Sequence, residues 1–435
     1  MCGTVYKRDD LPSQSMPCRR KTMKKTICLI TNWYPTKENP FQGLFFKEQA
    51  FAVEEAFDFV VVHYSERFRR KPFQAPVIAQ TNRERNTVEY TIDAYVPPYL
   101  YLNDEINTFT IRHFKKDQLL SGTGKYISKE RIDFTKRNLI SAFEKDIPYD
   151  IDAFYCVDAQ KEAFYTQCLA NHFHKPYVIG EHAPVPWPGS LLTDINKNAI
   201  EKADLFLAIS NDKIRQLMLQ SIRLPKTRYI GNLVDESRFL LKESNNTIKT
   251  FIIVASHSYY KNYHLFIDVM NRLTEISISD FRVMIVGYGA NKGYASGVEE
   301  FEEEIRNTKF ADKTTLIHSV EHEKIGEILN RADTFVMTSI QEGQPVSAME
   351  AACCGLPVFS TRCGGVEDYI DEKMGRIFDI TDSDGMAEAL KDYLEGKLQF
   401  DAEYIRKTVV EKFGKEAFTR TFTEAFNDAI TNYRS

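Results

Sequence analysis

The chain has 435 residues, enough for two or three domains at ~150 residues each. With 43% hydrophobic and 27% charged residues it has an ordinary globular composition, and a net charge of −5 gives no whole-chain case for nucleic-acid binding. Eight cysteines without a C-x-x-C pair read as reduced thiols of a cytosolic protein, and no run reaches the ~18 apolar residues of a membrane span.

Residues 1–22, "MCGTVYKRDDLPSQSMPCRRKT", are polar and lack the apolar stretch of a signal peptide. They read as a disordered tail or a start-site artefact, with Met23 as a natural start. Apolar runs then recur between helical patterns. The first set is 26–31, 58–64, 152–158, 175–182 and 203–210. The second is 250–256, 281–287, 313–319, 332–339 and 356–362. Most are apolar throughout rather than alternating, which predicts parallel strands covered on both faces by helices. Residues 65–145 break this rhythm, being aromatic and proline-containing with one alternating stretch, and are expected to form an insertion or extended loop on the acceptor side of the cleft.

Two sets of strands predict two α/β, Rossmann-like domains with parallel sheets facing across a cleft. The expected division is 23–241 for the first domain, 242–411 for the second and 412–435 for a terminal helix. The polar stretch 242–249, "KESNNTIK", is the expected linker and hinge. "EKADLFLAIS" and "NRADTFVMTS" echo each other, each placing Ala-Asp at a strand entrance and Ser seven residues after the Ala.

The chemistry concentrates in "SIQEGQPVSAMEAACCGLPVFSTRCGG", 339–365. Pro345 suits a helix first turn, and Gly355 with Pro357 stops the helix, so it should run from about Pro345 to Cys354. Amides from about Gly343 to Val346 then open on the cleft, where a helix N-terminus attracts phosphate. Glu342 stands at that mouth, and Glu350 lies about 6 Å further along the axis. The spacing fits a nucleotide-sugar, with sugar at Glu342, phosphates near the amides and ribose at Glu350. The plain alternative is a capping glutamate and a solvated one.

In that context the segment resembles the retaining GT-B glycosyltransferases of family 4, the glycosyl transferases group 1. "EGQPVSAMEAACCGLPVFSTRCGG" follows their E-G-x-P-x-x-x-x-E-A-x-A-x-G-x-P-V pattern. "KADLFLAISNDKIRQL", "YIGNLVDESRF" and "NWYPTKENPFQGLFFKEQAFAV" extend the likeness over roughly 24–430. The resemblance implies a GT-B fold with the C-terminal helix crossing back to the N-terminal domain. It implies sugar transfer from a nucleotide-sugar to a saccharide or lipid-linked saccharide acceptor with retention of configuration, in surface polysaccharide or glycolipid synthesis. Donor binding would fall to Gly43, Lys261, Glu342, Gly343, Gln344, Pro345, Val346 and Glu350. Glu342, Lys261 and His182 would be catalytic, with Lys261 at the leaving diphosphate and His182 facing the sugar across the cleft. No cofactor and no metal are implied. Where many members carry an Arg five residues before the Lys, this chain has Ser256.

Other classes fit less well. Gly287, Gly289 and Gly293 come close to a dinucleotide fingerprint but are one residue too long and follow a second strand. A glycosidase pair would face across a sugar at ~5 Å, not lie along one helix. A non-catalytic nucleotide-sugar binder stays open. The expected location is cytoplasmic. Residues 65–73, "SERFRRKPF", mix Arg and Lys with Phe, which suits either a peripheral contact with anionic lipid at the inner membrane face or a solvated loop.

Overall fold

The computed structural model describes residues 24–35, 42–68, 76–96, 110–112, 119–121, 129–182, 192–241, 247–289 and 297–433; the side chains of 67–68, 96, 110–112 and 119–121 are outside the description. The expected tail at 1–22, most of the basic-aromatic stretch at 65–73 and the linker core at 242–246 lie outside the described residues.

The first sheet is built from β1 (Lys25–Ile30), β2 (Phe57–Phe68), β3 (Val77–Glu84) and β4 (Thr87–Val96). After a short separate pair, β5 (Thr110–Arg112) with β6 (Leu119–Ser121), come β7 (Ala153–Cys156), β8 (Tyr177–Glu181), β9 (Leu205–Ala208) and β10 (Thr227–Tyr229). Its eight strands run in the order β10-β9-β8-β7-β1-β2-β4-β3. All neighbours are parallel except β3 on β4. The second sheet has β11 (Lys249–Val254), β12 (Phe281–Val286), β13 (Thr314–Ile317), β14 (Thr334–Met337), β15 (Val358–Thr361) and β16 (Gly375–Phe378), in the order β13-β12-β11-β14-β15-β16 and parallel throughout. All ten apolar runs in the sequence are strands. β7, β8, β9, β14 and β15 are buried at every residue, as two helix-covered faces require.

The expectation for 65–145 is corrected in its described part. β4 joins the sheet beside β2 with Val88, Tyr90, Ile92 and Ala94 buried on alternate positions, while β3, the edge strand, is almost wholly exposed, and helix Lys129–Asp146 follows. An edge strand needs little apolar surface, so its pattern reads as loop.

The Ala-Asp echo has a structural cause. Asp204 accepts the amide of Tyr177 at 2.9 Å, and Asp333 accepts the amide of Thr250 at 2.9 Å. Each carboxylate holds the entrance of the neighbouring strand in its own sheet. The Ser of each repeat then diverges. Ser210 caps helix Asn211–Leu219, whereas Ser339 turns to Glu342.

The chain crosses between domains twice, side by side. Val234 and Gly414 form a parallel bridge, with the Val234 amide donating to Phe413 O at 2.9 Å. Val234 and Phe239 already pack in the second core, before the expected linker. Helix Lys415–Asn432 returns to the first domain, where Phe418, Phe422, Ala425 and Phe426 pack against Ile27, Phe57, Phe59 and Tyr155. Apolar residues three and four apart put that stripe on one helix face.

Candidate active site

Both sheets present the carboxyl ends of their strands to the gap between domains. A cavity of about 500 Å³ lies there, lined by Asp212 and Arg215 from the first domain and Gln341, Cys363, Gly364 and Asp368 from the second.

Lys261 ends a single tight turn, Tyr259–Lys261, after β11, and Asn262 reverses the chain at φ 49. Two bonds fasten this turn to the loop after β14: Ile340 N donates to Tyr260 O at 2.7 Å, and Thr338 Oγ1 donates to Lys261 O at 3.1 Å. Lys261 Nζ therefore lies 2.6 Å from Glu342 Oε1, which also accepts the Ser339 hydroxyl at 2.7 Å. Both side chains are partly accessible, at 26% and 15%. His257, beside Ser256, stacks on Phe301, and burial favours its neutral form, so it does not replace the charge of an Arg at 256.

Helix Val346–Cys353 starts where expected, with Pro345 at its N-cap and no side chain capping its first amides. Gly343 runs against the first domain: a Cβ there would sit 2.7 Å from the carbonyl oxygen of His182. Only glycine permits that approach. The side chain of Gln344 turns away from the helix mouth, accepting the Asn232 amide and donating to the Tyr229 hydroxyl at 3.0 Å.

Glu350 is not a solvated surface residue. It is 6% exposed and accepts from His322 Nε2 at 3.1 Å. His322 follows β13, and its Nδ1 lies 3.4 Å from Glu48 of the first domain. Arg238 bonds both Glu48 and the His322 carbonyl oxygen, the latter at 2.9 Å. Burial disfavours a charged His322, yet the bonds and charges of Glu350 and Glu48 outweigh it and push the imidazole up to about 9. Neither His322 nor Glu48 is visible in the sequence motif, because they come from separate elements in separate domains.

His182 follows β8 and is buried beside Phe46, with ring centroids 4.7 Å apart. Its Nδ1 lies 3.1 Å from Asn232 Oδ1. Burial first, and the Lys213 charge, lower its pKa to about 3 despite the Asn232 bond, so it is neutral at pH 7. Gly43, at φ 62, begins helix Leu44–Ala52 and backs onto the Trp33 carbonyl, so a Cβ has no space there.

The first domain adds a polar group that sequence reasoning missed. Asn32 donates to Glu162 at 3.0 Å, and Glu181 accepts the Ala159 amide at 2.6 Å. Burial, then the neighbouring Asp158, push Glu162 up to about 7. The readable signal was "DAQKE", which sets Asp158 and Glu162 four apart as a strand gives way to a helix.

Among the described residues no helix is long and apolar enough to cross a membrane, and no group of three or more His, Cys, Asp or Glu could hold a metal ion.

Comparison with solved structures gives the fold class. A sucrose-phosphate synthase from Thermosynechococcus elongatus superposes with a TM-score of 0.66 at 15% identity, covering 94% of this chain and all of that one. HepE from Anabaena in complex with UDP superposes with a TM-score of 0.64 at 14% identity, covering 93% and 100%. The fold is GT-B. Residues 238–409, most of the second domain, match the model for glycosyl transferases group 1. The gpi3 subunit of phosphatidylinositol N-acetylglucosaminyltransferase from Schizosaccharomyces pombe is 26% identical over 220 residues, 48% of this chain and 46% of that protein. N-acetyl-alpha-D-glucosaminyl L-malate synthase from Bacillus anthracis is 22% identical over 249 residues, 55% and 63%. The chain thus spans about half the length of these curated relatives.

Proposed function

We propose that the protein moves a sugar from a nucleotide-sugar to a saccharide or lipid-linked hydroxyl acceptor, with retention of anomeric configuration. The observation that carries this is the Lys261–Glu342 pair beside an uncapped helix mouth, with Glu350 buried on the same helix. The glycosidic C–O bond breaks, and the diphosphate leaves with the electron pair. The acceptor oxygen attacks the same face, and its proton passes to the departing phosphate oxygen. Lys261 serves the growing charge on the diphosphate, aided by the first-turn amides, and Glu342 holds sugar hydroxyls. Gly43 backs the phosphates from the first domain, and His182 meets the sugar as a neutral hydrogen-bonding group. With Ser256 in the Arg position, Lys261 carries more of the charge compensation.

Names of the relatives make N-acetylglucosamine the first sugar to test, with phosphatidylinositol and L-malate as first acceptors. Glu162, placed to titrate near neutrality, suits hydroxyl binding on the acceptor side. A panel of uridine, guanosine and adenosine diphosphate sugars, screened for thermal stabilisation and diphosphate release, tests the reading. One donor should do both. Stabilisation without any release, at every acceptor tried, favours the non-catalytic binder.

A further inference from the structure

We propose that His322 is a positioning residue for the donor ribose: it orients Glu350 from within the second domain and ties that carboxylate to Glu48 of the first. The inference rests on the reading of Glu350 as the ribose ligand. A carboxylate as buried as Glu350 must be partnered or it loses its charge. The described side chain that meets it is His322, through Nε2 on Oε1 at 3.1 Å. Oε2 and the second lone pair of Oε1 are then free to accept from a vicinal diol.

The arrangement does not depend on the charge of the ring. If Nδ1 carries a proton, it points toward Glu48, 3.4 Å away. If Nδ1 is bare, it accepts from Arg238 Nη2 at 3.0 Å. In both states Nε2 keeps its hydrogen and gives it to Glu350. Arg238 fixes the other side, bonding Glu48 with one nitrogen and the His322 carbonyl with the other. The packing behind it is tight: a Cβ on Gly326 would lie 2.5 Å from the Arg238 carbonyl oxygen. The segment that carries His322 is thus packed against the Arg238 segment.

Glu48 lies on the helix that Gly43 begins, Leu44–Ala52. The ribose carboxylate and the glycine that backs the phosphates are thus joined through Glu48, Arg238 and His322. These contacts join the two domains, so ribose recognition and the contact between domains share one set of side chains.

The test compares binding of UDP, GDP and ADP with their 2′,3′-dideoxy analogues by calorimetry, in the wild type, His322→Ala, His322→Leu, His322→Gln and Glu350→Gln. Leu fills the ring's space without an N–H; Gln puts an N–H near Nε2. The wild type should favour the ribose form of its nucleotide by about tenfold or more, on the scale of a hydrogen bond to a charged group. His322→Ala and His322→Leu should erase most of that preference, leave dideoxy binding nearly unchanged and match Glu350→Gln. His322→Gln should recover part of it. A folded His322→Ala or His322→Leu that keeps the full ribose preference overturns the positioning role. A wild type without any ribose preference overturns the ribose reading of Glu350 itself, a separate result.

Discussion

Lys261 and Glu342 form an ion pair across two loops, Nζ to Oε1 at 2.6 Å. The cation proposed for the leaving diphosphate and the carboxylate proposed for the sugar are thus one ion pair, presented by two loops that the bond from Ile340 N to Tyr260 O fastens together. On the proposed roles, a bound donor exchanges this pair for contacts of its own. Their roles are therefore coupled, and removing one changes the other.

Lys261→Ala should lower turnover by ~10²–10³ while changing donor affinity far less, because its contact strengthens as charge develops. Glu342→Ala should also lower turnover, yet it frees Lys261. Nucleoside diphosphate binding by that variant should hold or tighten. Steady-state kinetics and calorimetry on the two variants check this; loss of diphosphate binding in Glu342→Ala would contradict the coupling.

Glu350→Ala should weaken nucleoside diphosphate binding by ~1.5–3 kcal/mol, the range for a hydrogen bond to a charged group. It should also cost stability, because His322 loses the carboxylate that accepts from its Nε2. Calorimetry and chemical denaturation separate the two effects. Unchanged affinity in a folded variant would remove the ribose role.

His182 gives a pH dependence with a definite sign. Its folded pKa, about 3, lies below the ordinary 6.5. Below pH 6.5 the unfolded chain binds a proton that the folded chain does not. The stabilisation is therefore complete above pH 6.5 and is lost as pH falls toward 3, at up to ~1.4 kcal/mol per pH unit from this group. His182→Gln should flatten that limb of the stability curve. An equal slope in the variant would show that other groups set it.

Gly343→Ala should hinder the close contact between the domains, because the added methyl meets the His182 carbonyl. A penalty of ~1–3 kcal/mol is expected, as for overpacking elsewhere. Gly396→Ala is the control: its methyl meets nothing, and only φ 74 opposes it, for ~1–2 kcal/mol of backbone strain. Donor KM should rise in Gly343→Ala alone. Equal KM in both would contradict the closure contact.

The inner strands were legible because burial on both faces leaves uninterrupted apolar runs, and the helix at 346–353 because Pro345 and Gly355 punctuate it. β3, β10 and β16 were not, since these three edge strands, "TRY" at 227–229 among them, carry no such run; β13, at the other edge of its sheet, does. Glu342 and Glu350 share one helix and its entrance, so sequence spacing could place them. Gln344 shows the limit of spacing: its backbone lies at the helix mouth, but its side chain serves Asn232 and Tyr229. His322, Glu48 and Arg238 meet only through the packing of two domains, and no local pattern encodes that meeting.

If the Lys261–Glu342 pair drives sugar transfer, loss of Lys261 must slow release of the diphosphate. The most direct test is diphosphate release from the best-binding donor of the panel, by wild type and Lys261→Ala at saturating donor with phosphatidylinositol or L-malate as acceptor. The account predicts release by the wild type and a fall of at least about a hundredfold in the variant, with donor still bound. Equal release by both proteins would contradict it.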